Sequence, residues 1–93
     1  MKHAGKEALS KLQTILEALR GHSVLRERTP GSFYLRSSGF VHFHEDPTGL
    51  FGDLKEDLVS FTRHRVTSRT EQRAFLERVR LTLERASIKA KGK

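Results

Sequence analysis

The stretch Gly39–Asp53 reads GFVHFHEDPTGLFGD. At its centre, Asp46-Pro47-Thr48-Gly49 has Asp first, Pro second and Gly fourth, the residue order of a type I turn. A turn there makes the flanking runs, FVHFHE from Phe40 and LFGDL from Leu50, the two arms of an antiparallel hairpin. Successive strand residues face opposite ways, so Val41 and Phe43 share one face, and Phe40, His42 and His44 the other. Burying Val41 and Phe43 is the simpler choice. The histidines then look out from an open sheet face, or into an interface with a second copy of the chain.

What lies beside them depends on register. If Pro47 and Thr48 alone form the loop, Glu45 pairs with Leu50 and His42 with Asp53. Leu50 and Leu54 then join Val41 and Phe43 on one apolar face. If Gly49 is a left-handed bulge residue, the pairing slips by one and Asp53 moves to the other face. The first register segregates polar from apolar side chains better, and it is the expected one. The turn sequence alone suits the second at least as well.

Outward from the hairpin, FYLR from Phe33, followed by the turn sequence SSG, reads as a preceding strand. After the turn KEDL, VSFTRHRV reads as a following one. Residues 33–66 are thus expected to form an antiparallel meander of three to four strands. Residues 21–32, with Pro30-Gly31, read as a connector. Before it, KEALSKLQTILEALR (6–20) places Leu9, Leu12, Leu16 and Leu19 at helical spacing, with Ala8 and Ile15 widening the stripe and Gly21 as the stop. After the meander, Ser68 and Glu71 fit a capping box opening a second helix with the stripe Phe75, Leu76, Val79, Leu83 and Ala86. The expected fold is α+β: an N-terminal helix, the meander and a C-terminal helix in two layers. It is a single domain over 1–93 with an ordered core of about 6–86.

The chain of 93 residues has no cysteine, which excludes disulfides, thiolate ligands and a cysteine nucleophile. Its 18 Lys+Arg outweigh 11 Asp+Glu, for a net charge of +7 that favours acidic partners. Part of that charge sits in the tail lysines Lys89, Lys91 and Lys93. The polar start MKHAGKEALSKLQ is unlike a signal peptide, and no apolar run approaches spanning length. A soluble cytoplasmic protein that does not enter a membrane is the default expectation.

Two histidines and a carboxylate, here His42, His44 and Asp53, can hold Zn²⁺ or Fe²⁺ with open positions, and a His–Asp pair can orient an imidazole for proton transfer. The plainer reading is a set of cross-strand polar pairs on a half-exposed sheet. No further ligand is secured by spacing, and His64 is left unplaced, so no tightly held metal and no cofactor are expected. P-loop, dinucleotide, HExxH and GxSxG motifs are absent, which leans the reading away from an enzyme. Tyr34 and Arg36, carried across the SSG turn, are expected beside the histidines, and Arg63 and Arg65 follow Phe61 on the last strand. An open sheet bearing aromatics and arginines can stack bases and grip phosphates. A solvated basic surface is the equally economical alternative.

The stretch Phe33–Leu83 resembles a family of small bacterial domains of unknown function, some carried under the label "luciferase family". Their core is a strand, an H-x-H segment, a short turn and an Asp-hydrophobic pair, matched here by HFHEDPTGLFGDL and then by an Arg/His-containing strand and a closing helix. The resemblance implies that His42, His44 and Asp53 are the positions that matter. It implies no light-emitting activity, since no flavin or luciferin motif is present. The longer hairpin turn and the basic ends depart from the family's pattern. The leading expectation is a small binding module that uses the open sheet face, with nucleic acid or another polyanion as partner and a homodimer as one way of covering that face. The alternative is a metal-binding, hydrolytic or proton-transfer domain centred on His42, His44 and Asp53.

Overall fold

A computed structural model describes residues 1–91, with side chains through Ser87. The tail lysines Lys89, Lys91 and Lys93 therefore lie outside the described side chains. The elements run β1 (Lys2–His3), α1 (Lys6–Ser10), α2 (Gln13–Arg20), β2 (Leu25–Thr29), β3 (Ser32–Leu35), β4 (Ser38–Asp46), β5 (Gly49–Leu54), β6 (Thr62–Arg65) and α3 (Arg69–Lys91). The strands form one antiparallel sheet in the order β2-β3-β4-β5-β6, with β1 added beside β4. An antiparallel sheet with helices makes this an α+β fold. Among the described residues no helix is long and apolar enough to cross a membrane.

The sheet is wider than the expected three to four strands. The segment read as a connector contains β2, and the strand was hidden because its inward positions are Leu25 and Glu27 rather than two apolar residues. Glu27 tolerates that place because Arg20 of α2 donates to both of its carboxylate oxygens, at 2.7 and 3.0 Å, and the Gly31 amide donates at 2.9 Å. The β2–β3 turn is Pro30-Gly31, with Gly31 at φ +79, the left-handed position a type II turn demands.

The first helix is also divided. The Ser10 hydroxyl donates to the Glu7 carbonyl at 2.6 Å, and the amides of Lys11 and Leu12 close short turns onto Ala8 and Leu9. Side-chain competition for a helical carbonyl is a common cause of such breaks. The leucine stripe survives the break, with Leu12, Ile15, Leu16 and Leu19 all buried. The capping box of α3 forms in full: the Glu71 amide donates to Ser68 Oγ at 3.1 Å, and the Ser68 amide to Glu71 Oε1 at 2.8 Å.

One buried cluster joins Leu12, Ile15, Leu16 and Leu19 to Phe33, Phe40, Val41, Phe43, Leu54, Val66, Phe75 and Val79, with Leu76 partly buried against it. Phe40 belongs to this core and not, as alternation predicts, with the histidines. Phe33 pairs with Val41 while Tyr34 pairs with Gly39, so Phe40 is the extra residue of a β-bulge and turns inward beside Val41. Thr82 is the unexpected polar member of the buried side of α3, and its hydroxyl is satisfied by the Arg78 carbonyl at 2.8 Å.

Candidate functional site

The face away from the core is set by the β4–β5 turn. Asp46 Oδ1 accepts from the Thr48 amide at 2.8 Å and from its hydroxyl at 2.5 Å, closing the turn around Pro47 and Thr48. Gly49 has φ +151, and a Cβ there would lie 2.5 Å from Thr67 Oγ1, so only glycine fits. Asp46 pairs with Gly49, Glu45 with Leu50 and His42 with Asp53, the register that segregates polar from apolar. His42, His44 and Asp53 consequently share the face opposite the core. Tyr34, Phe51, Arg63 and Arg65 share it by the same alternation.

Asp53 is the anchor of this face and is only 9% exposed. Arg63, directly opposite on β6, donates Nε and one terminal nitrogen to its two oxygens at 2.8 Å each. The imidazole that meets Asp53 is not its register partner His42 but the diagonal neighbour His44, Nε2 to Oδ2 at 3.2 Å. Burial pushes the Asp53 carboxyl up, but the Arg63 hydrogen bonds and charge, with His44 and His42, outweigh it and hold it below the usual carboxylate range.

His44 is pushed below the ordinary imidazole value, by burial first and by His3 and Arg63, against the pull of Asp53. His42 is lowered too, by burial and then by His3, His44 and Lys55. Burial thus overrides the attraction of Asp53 that would have raised it. Both carboxylate oxygens of Asp53 are engaged within the protein by Arg63. Asp53 thus ties β5 to β6 through Arg63 and lies against His44 of β4.

His3, Arg28, Phe51 and Phe61 were not legible as site residues. His3 arrives on β1, paired with His44, and its ring stacks on that of His44 at 4.6 Å. Nothing in MKHAG signals a strand. Arg28 lies with its guanidinium 4.5 Å over Tyr34, and Arg65 sits 5.9 Å over Phe51. Phe61 stacks on His42 with ring centroids 5.0 Å apart, and Tyr34 lies 6.4 Å from the same imidazole.

Arg36 differs from expectation, and His64, which the sequence left unplaced, has a defined position. Arg36 does not lie beside Tyr34; it is exposed in the β3–β4 turn at φ +60, because β3 ends at Leu35 and Leu35 pairs with Ser38. His64 falls on the core side of β6, bonded to Glu56 and with its ring edge-on to Phe75 at 5.9 Å. Among the described residues no group of three or more His, Asp or Glu is placed to hold a metal ion.

No family model, curated protein or solved structure matches this chain. The site's chemistry therefore rests on its own geometry.

That geometry fixes a pH response. Both imidazoles bind protons less readily folded than unfolded, so the unfolded state takes up more protons once pH falls below about 6.5. Their contribution to stability is complete above that value and is lost as pH falls towards their folded values. The lowered Asp53 adds a second loss only below about pH 4. Thermal melts should show Tm falling between about pH 7 and 5, with a shallower fall in His42→Gln/His44→Gln. An unchanged slope in that variant would show that these rings do not carry the effect.

Proposed function

We propose that this is a small basic domain that binds single-stranded nucleic acid, or a polyanion of like chemistry, across the sheet face turned away from its helices. In this reading the domain has two layers, helices over one sheet face and a binding surface on the other, and it works in the cytoplasm. The observation that carries the proposal is the pairing of rings with cations on that face. Arg28 lies over Tyr34, Arg65 over Phe51, and the Lys55 ammonium 5.0 Å from the centre of Phe61. The carboxylate at its centre, Asp53, is already neutralised by Arg63. Such a surface suits unpaired bases, which stack on aromatic rings while their phosphates meet cations. The net charge of +7 supplies long-range attraction. The positions His42, His44 and Asp53, on which the likeness to H-x-H domains rests, then serve as the framework of that surface rather than as an acid–base centre.

Binding of a fluorescently labelled oligothymidylate, read by anisotropy, tests this. Three phosphates contacted would lower affinity about twentyfold from about 50 to about 200 mM salt. Arg28→Ala/Arg65→Ala should weaken binding and flatten that salt dependence, and neither arginine holds a buried acid. The proposal fails if binding disappears on removal of residues 88–93 yet is unaltered in the double variant.

A further inference from the structure

Between β5 and β6 the chain runs through an irregular, mostly exposed segment that includes Leu58 at φ +64 and Val59 at 80% exposure, and it ends on Phe61. Phe61 is a large apolar ring left 42% exposed on a charged surface. Its ring rests on His42, tilted by 35°. Gly39 leaves the room for this arrangement: a Cβ there would lie 3.2 Å from His42 Nε2 and 3.6 Å from Phe61 Cζ. His42 Nε2 is, among the described residues, the buried side-chain polar atom without a hydrogen-bond partner. The Nε2 edge of the imidazole is thus turned into the packing beside Gly39, and its ring face meets Phe61. Beside the stack, Lys55 Nζ donates to Ser38 Oγ at 2.8 Å, which holds its ammonium against the Phe61 ring.

We propose that the Phe61–His42 stack is the seat of one unpaired nucleobase, which packs on Phe61 while Lys55 moves from the ring to that nucleotide's phosphate. The inference deepens the reading of the open face as a nucleic-acid surface and rests on it. An exposed ring backed by a second ring is a preformed platform, and base–aromatic stacking tolerates any base because each has a π-face. A lysine on a flexible stem can trade a cation–π contact for a phosphate at little cost. Tyr34, on the other side of His42, continues the row of rings across the sheet.

The test compares an oligothymidylate with an abasic oligomer of equal length, which keeps the phosphates and removes the rings. The unaltered protein should prefer the thymidylate by about 5- to 150-fold, the range one stacked base carries. Phe61→Ala should lose most of that preference while binding the abasic oligomer as before, and Phe61→Trp should retain it. Circular dichroism and melts check that the variants are folded, which the exposure of Phe61 favours. Equal affinity of the unaltered protein for both oligomers overturns the base seat and leaves the electrostatic reading standing. So does an undiminished preference in Phe61→Ala. Failure of both oligomers to bind the unaltered protein overturns the nucleic-acid reading itself, and the seat with it.

Discussion

Phe43→Ala is expected to destabilise the fold by about 3–5 kcal/mol, a large part of the margin of a small domain. Phe43 is 3% exposed at the middle of β4, and its ring meets Phe75 of α3 at 5.8 Å. Removing the ring leaves a cavity between sheet and helix that neither rigid element can close, so the loss exceeds the transfer free energy of the atoms removed. Urea denaturation should show a lower midpoint at an unchanged slope. Leu16→Ala, on the α2 side of the same cluster, should cost about 2–5 kcal/mol. Unchanged midpoints in both would mean that the helices are not seated on this face of the sheet.

The second large effect comes from adding atoms. Gly52 lies across from Phe43 in the β4–β5 ladder, under the same helix. A Cβ at this position would lie 2.8 and 2.9 Å from Phe75 Cε1 and Cζ, and 3.2 Å from Phe43 Cε1. Both rings are buried and hold each other, so neither can swing aside. Gly52→Ala should cost about 1–3 kcal/mol by overpacking, and Gly52→Val more, since its methyls enter the same space. Combining Gly52→Ala with Phe75→Leu should cost less than the sum of the single changes, because the smaller side chain frees the space the methyl needs. Strict additivity in denaturant titrations would show that the contact is not the cause.

The hairpin was legible because three local signals agree: the turn residues, the alternation of His42 and His44 with Val41 and Phe43, and the leucines of the returning strand. The start of α3 was legible for a similar reason, since its capping box is written in adjacent residues. What was hidden depends on contacts between separate elements. β1 is a two-residue strand with no periodicity to display, and it exists only through its pairing with β4. β2 carries a glutamate on its inward face because an arginine from α2 reaches it. Within the site, alternation places His42, His44 and Asp53 on one face. It does not say which imidazole Asp53 will touch. Nor does it put Arg63 opposite Asp53, a place that follows from the irregular segment before β6 rather than from any turn motif. Arg36 was misplaced because SSG reads as a turn, while the chain turns one step earlier, at Arg36 and Ser37.

The bulge at Phe40 also decides where this chain can tolerate a change in length. Val41 and Phe40 point the same way, so β4 keeps two separate counts of odd and even, one shared with β3 and one shared with β5. Losing the bulged residue would remove an aromatic ring from the core and make the β3–β4 ladder regular. His42 and His44 would still face outward. Losing one residue between Val41 and the turn would invert the count against β5, drive imidazoles inward and put Phe43 in water. An indel on one side of Phe40 edits the edge of the fold, and the same indel a few residues later turns the sheet inside out.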